Sequence, residues 1–192
     1  FDVSEEKEKN IFDEMLNKNL LKGINKEQTE FISSTGEITL DQKEKAFKVI
    51  TKNSETFVLG NMTGMKGNVM EILKNNGYVL ISIASIDGKE LNNSEKILFL
   101  HLTDIQNSKV KFKEDGKRRI LEKWGELPHL LRKGDAEIKL NGINPELKVW
   151  AIDLSGKKIE EIPVKREKNT IIFNANTFLN SGKTCMVYQI SK

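Results

Sequence analysis

Two apolar runs decide the fold class: Tyr78-Val79-Leu80-Ile81-Ser82-Ile83-Ala84-Ser85-Ile86 and Ile97-Leu98-Phe99-Leu100-His101-Leu102. Between them stands Asp87-Gly88, a strong hairpin signal because glycine accepts positive φ without steric cost. Both runs are apolar at successive positions, which predicts central strands buried on two faces.

Outward from this pair, short β-rich runs recur at fairly regular spacing. They cover residues 37–40, 47–51, 56–59 and 69–73 upstream, and 147–153, 171–173 and 184–190 downstream. Asp115-Gly116 and Ser155-Gly156 read as further turns. Residues 60–67 hold three glycines and read as a loop; the charged stretch 109–119 reads as a solvated hairpin or excursion. A parallel α/β fold would need helices between the strands, and the pattern shows none. The expectation is a mainly β protein, an antiparallel β-sandwich with one N-terminal helix. Its buried positions are expected to include Ile81, Ile83, Leu98, Leu100, Val149 and Val187.

The helix comes first in the chain. Ser4 is a plausible N-cap, and Glu5, Glu6 and Glu8 suit the positive end of the dipole. Ile11, Phe12, Met15, Leu16 and Leu20 recur at helical spacing, and Lys22-Gly23 gives a C-terminal signal. Residues 1–28 therefore read as a helical segment that packs on or links to a neighbouring domain, and 29–192 as the sandwich. A helix this short is marginal alone, so its stripe needs a surface to cover. The opening Phe1-Asp2-Val3-Ser4 carries neither a start Met nor signal-peptide features, so the chain reads as a piece of something longer or as a processed product.

Composition narrows the function classes. Lys and Arg number 31 against 28 Asp and Glu, a net charge of only +3, which gives little reason to expect nucleic acid. No apolar run reaches the ~18 residues a membrane span requires. The single cysteine, Cys185, excludes an internal disulfide.

The search for chemistry returns no active constellation. His101 and His129 lie 28 residues apart without ligands at metal spacing, and His101 reads as a satisfied core or edge histidine. Cys185 falls in a strand-like run, and no Gly-x-Ser-x-Gly elbow occurs. Gly182-Lys183-Thr184 lacks the earlier glycine of a phosphate loop, since position 177 is Thr. Glu37, Asp41, Asp87 and Asp104 are carboxylate candidates that spacing alone does not pair. Trp124 and Tyr78 are the candidate sugar-stacking platforms, while Trp150 reads as a core residue. Sequons occur at Asn61 and Asn92. No catalytic residue, metal ligand or cofactor is assigned.

Several of these stretches resemble one known family. Ser34-Thr35-Gly36-Glu37-Ile38-Thr39-Leu40-Asp41 is similar to a Ser-x-Thr-Gly-Glu-Ile-x-Trp-Asp strand, with Leu40 in place of the Trp. Ser85-Ile86-Asp87-Gly88-Lys89-Glu90-Leu91, then Ser94 and Ile97-Leu98-Phe99-Leu100, resembles a Ser-Leu-Asp-Gly-Lys-Pro-Ile hairpin and the strand after it. Trp124-Gly125, Val149-Trp150-Ala151-Ile152-Asp153 and Val187-Tyr188 follow in the same order. Ile105-Gln106-Asn107 stands where the family has Ala-Glu-Asn-Thr-Gly. These stretches resemble the C-terminal all-β region of large bacterial glycoside hydrolases whose catalytic domain is a TIM barrel.

The resemblance implies a non-catalytic accessory module whose partner is the catalytic barrel of the same polypeptide. It also implies catalytic acids outside this chain, and it leans toward a secreted or cell-surface parent. The alternatives are an autonomous carbohydrate-binding module using Trp124 or Tyr78, or a surface interaction domain without a glycan role. Neither nucleic acid nor membrane is expected as a partner.

Overall fold

A computed structural model describes residues 5–18, 20–21, 23–25, 27, 29–60 and 63–192, with residues 5–10 described in backbone only. Helix α1 (Glu5–Asn17) is followed by a meander of β1 (Glu30–Ile32), β2 (Ile38–Asp41), β3 (Ala46–Ile50) and β4 (Ser54–Leu59). The chain crosses to a second layer for β5 (Met65–Lys66) and β6 (Met70–Asn75). It returns to the first layer for β7 (Val79–Ser85) and β8 (Lys96–Leu102). An excursion then carries β9 (Ile105–Ser108), β10 (Lys111–Asp115), β11 (Arg118–Lys123) and β12 (Glu126–Leu131). The sandwich is completed by β13 (Asp135–Asn141), β14 (Lys148–Ile152), β15 (Lys158–Ile162), β16 (Val164–Glu167), β17 (Thr170–Asn176) and β18 (Val187–Ser191).

The larger sheet has nine strands in the order β1-β2-β3-β4-β7-β8-β18-β14-β15, and the smaller has five in the order β16-β17-β13-β6-β5. The β7–β8 and β13–β17 ladders are antiparallel, as are their neighbours. The described residues form a mainly β fold with antiparallel sheets and one α-helix, as the regular spacing of short apolar runs and turns in the sequence predicts. β7 and β8 occupy the middle of the larger sheet, and Asp87-Gly88 turns the chain between them, with Gly88 at φ +76°.

The core lies between the two sheets. Phe57, Ile81, Phe99 and Ile190 point inward from the larger one, Met70, Ile138, Leu140 and Phe173 from the smaller. Phe99 meets Phe173 edge-on at 5.3 Å and Tyr188 at 5.6 Å between ring centres, a geometry that brings positive ring edges to negative faces. Burial of each large apolar side chain contributes about 1.5–3 kcal/mol, so this layer dominates stability. Cys185 is a buried free thiol, and its pKa is pushed up by burial.

Some expectations need correction. Ile81, Ile83 and Val149 are buried, but Leu98, Leu100 and Val187 are only half-buried. Side chains alternate along a strand, and in β8 the inward set is Ile97, Phe99 and His101. Trp150 is no core residue either: Val149 and Ala151 point inward, so Trp150 faces out beside Lys148. The loop expected at 60–67 contains β5, which pairs with β6. The helix ends at Asn17, before the expected Lys22-Gly23 stop. Gly23 serves another contact. Its φ is +83°, and a Cβ there would come within 2.3 Å of the Ile32 carbonyl oxygen. Of the expected stripe, Phe12, Met15 and Leu16 are half-buried, while Ile11 and Leu20 are exposed. Ser4, Lys22 and Asn61 lie outside the described residues, as do the side chains of Glu5, Glu6 and Glu8.

Candidate functional site

The outward faces of the two sheets differ in chemistry. Register partners share a face, which allows rows to be followed across strands. On the larger sheet one row runs Leu40, Phe47, Val58, Leu80, Leu102. A second runs Val49, Thr56, Ser82, Leu100, Val187, Ile152. A third runs Ala84, Leu98, Gln189, Trp150. None of these positions is charged. Charge begins at the margin, with Lys96 and Lys148 at one end and Glu161 beside Trp150. The smaller sheet is the reverse. Its outward positions include Glu137 opposite Lys74, and Lys139 opposite Glu71, the last two forming an ion pair at 3.8 Å.

At one end of the uncharged face lies an open cleft of about 510 Å³. Leu80 and Leu102 form its apolar wall, and Tyr78, Asp104 and Arg132 supply polar groups. The chain places these residues together because β7 starts and β8 ends at this edge, and the excursion returns there. Arg132 N donates to the Asp104 carbonyl at 2.8 Å, which closes the base of the excursion. The Arg132 guanidinium donates to the carbonyls of Asn76, at 3.2 Å, and Tyr78. Asp104 Oδ2 accepts from Gln106 Nε2 at 2.8 Å. Both charged side chains are thus held in place by their own neighbours rather than by each other. Tyr78 is 64% exposed at the mouth of this cleft.

Trp124, the other candidate platform, is not brought to this cleft. It stands at a kink in the excursion, 78% exposed, where β9–β12 pairing gives way to the β10–β11 hairpin. Gly125 makes the kink. Its φ is +76°, and a Cβ would come 2.1 Å from the Ser108 carbonyl oxygen. Asn107 Nδ2 donates to the Trp124 carbonyl at 2.8 Å, so the backbone is fixed while the ring projects.

The remaining candidates have structural duties. His101 is fully buried, and its Nδ1 lies 2.7 Å from the Ala175 carbonyl oxygen, which requires the proton on Nδ1. Burial pulls its pKa down to about 4, against the opposing effect of that hydrogen bond. His129 is exposed and its Nδ1 lies 2.7 Å from Asn107 Oδ1. Asp87 accepts from Glu95 N, Ser94 Oγ, Ser85 Oγ and Lys89 N, which together hold its carboxyl well below the usual range. Asp41 Oδ1 accepts from Glu44 N at 2.9 Å in a turn, and Glu37 is exposed. Asn92 is exposed in a single 3-10 turn. Among the described residues no three His, Cys, Asp or Glu side chains converge, and no helix is long and apolar enough to cross a membrane.

Arg132 is the cleft residue that sequence reasoning missed. An arginine after Leu130-Leu131 has no spacing signature; only the closure of the excursion gives it a place. Compared with known proteins, the chain matches no family model, no curated protein and no solved structure.

Proposed function

We propose that this chain is a non-catalytic accessory β-sandwich module that packs, through the middle of the outward face of its nine-stranded sheet around Leu98, Leu100 and Val187, onto a catalytic domain of the same polypeptide. The observation that carries the docking reading is the contrast between the two outward faces. The smaller sheet presents paired charges to water, whereas three rows of the larger sheet present none. An antiparallel sheet that meets water alternates apolar and polar positions, and a wide apolar face on a soluble domain marks an association surface. The assignment of the neighbour as a TIM-barrel glycoside hydrolase rests on the resemblance of residues 34–41, 85–100 and 149–153.

The test is Leu100→Glu, placed near the middle of the face. In the isolated chain the half-buried Leu100 is replaceable, and the unfolding free energy should change by no more than about 1 kcal/mol. In the full gene product the same change buries an unpaired carboxylate at the interface. The expected result there is a loss of roughly 3–5 kcal/mol, read as a lower melting transition of the catalytic domain. A full gene product indifferent to Leu100→Glu would refute the docking reading. A neighbouring domain without glycosidase activity would refute the barrel assignment and leave the docking intact.

A further inference from the structure

The geometry points to the cleft beside Tyr78 as a binding subsite for one neutral pyranose ring. The ring stacks on Tyr78, with Asp104 accepting from its hydroxyls and Arg132 donating to its oxygens. Tyr78 exposes most of its side chain at the mouth of an otherwise apolar wall, Leu80 and Leu102. A sugar ring has flat C–H patches that suit an aromatic face, and hydroxyls at its edge that need both donors and acceptors. The volume, about 510 Å³, falls within the range of small-molecule sites and exceeds what one ring requires.

The polar groups are also held ready. The Arg132 guanidinium is pinned by the Asn76 and Tyr78 carbonyls, and among the described residues its Nε–H has no acceptor. Asp104 is held through Oδ2 by Gln106, and Oδ1 has no donor among the described residues. A fixed fork and a fixed carboxylate lose little side-chain freedom when a ligand arrives.

Charge decides the ligand class. One carboxylate and one guanidinium share the cleft, so an anionic ligand meets Asp104 and a cationic one meets Arg132. A neutral polyol uses both. Trp124, more exposed than Tyr78, is the weaker candidate because the excursion carries it away from these partners. The inference uses only this chain's own residues and does not rest on the docking reading.

The experiment is saturation-transfer NMR on the purified chain. The probes are the methyl pyranosides of glucose, galactose and mannose, with methyl glucuronide and glucosamine as charged comparators. Saturable transfer is expected from at least one neutral pyranoside. Its affinity should fall at least ten-fold in Tyr78→Ala and in Asp104→Asn, both at exposed positions and both with an unchanged melting curve. Trp124→Ala should bind as the unaltered chain does. Any of three results would overturn the proposal: no saturable binding by a neutral pyranoside, undiminished binding by Tyr78→Ala and Asp104→Asn, or preference for a charged sugar.

Discussion

The carboxylate of Glu55 on β4 accepts the amide of Met70 on β6 at 2.8 Å, joining the two sheets through a fully buried charge. Its other oxygen takes the amides of Asn68, at 2.7 Å, and Val69, at 2.8 Å. Three converging N–H groups compensate the removal of the carboxylate from water.

Glu55→Ala should therefore leave three amides without their acceptor. The expected cost is about 3 kcal/mol or more in denaturant unfolding. Gly67→Ala should be costly for a related reason, since its Cβ would lie 2.3 Å from Glu55 Oε2. The two changes act on one contact, so the double variant should lose clearly less than the sum of the singles. Full additivity would show that the clash is relieved elsewhere.

His101 predicts an acid-sensitive step. Its pKa falls from 6.5 in the unfolded chain to about 4 in the fold, so the folded state binds the proton less readily. The stabilising contribution is fully present above pH 6.5 and is lost as pH falls toward 4. Between pH 7.5 and 4.5 the loss should be about 2–3 kcal/mol, with one pKa unit equal to about 1.4 kcal/mol. Denaturant midpoints at the two pH values, in the unaltered chain and in His101→Gln, give the measurement. The variant should be less stable at neutral pH but show a flatter dependence over this interval. An equal slope in both chains would assign the acid sensitivity elsewhere.

Adjacent residues in β8 should differ sharply in what their truncation costs. Phe99→Ala empties the aromatic cluster with Phe173 and Tyr188, at a cost of about 3–5 kcal/mol. Leu100→Ala, on the outward face, should cost about 1 kcal/mol or less in the isolated chain. Equal costs would mean that the outward face is covered within this chain.

Gly125→Ala should loosen the excursion and leave the sandwich alone. The left-handed backbone and the overlap with the Ser108 carbonyl both oppose a side chain there. Limited proteolysis should cut faster within residues 105–131, while the main unfolding transition stays in place. A shifted main transition would make the excursion part of the cooperative core.

The strands that could be read from sequence are those with strong apolar runs, above all Val79–Ser85 and Lys96–Leu102. Which of their faces turns inward was not legible, because Leu98 and Phe99 are equally apolar and only the partner sheet tells them apart. Asp135–Asn141 carries no apolar run that would mark it as a strand, although it sits at the middle of the smaller sheet. Its Glu137 and Lys139 alternate with buried Ile138 and Leu140, a period-two signal masked by its high charge. Tyr78 was legible as a candidate platform from its residue type. Its polar neighbours were not, since Arg132 lies 54 residues away and reaches Tyr78 only by a backbone contact.

The closure of the excursion has an architectural consequence. Thr103 Oγ1 donates to the Arg132 carbonyl at 2.7 Å, and Arg132 N to the Asp104 carbonyl at 2.8 Å, so the segment leaves and re-enters the sandwich at a single point. Topologically, residues 105–131 are one long hairpin loop fastened at its stem. The frame on either side, β8 and β13, belongs to different sheets and is held by its own ladders. Such a segment behaves as an exchangeable cartridge: its length and tip can be rewritten while the stem contacts are kept. The surface that Trp124 now crowns is thus the part of this molecule most open to grafting, and a short turn joining Asp104 to Arg132 is the natural blank on which to build.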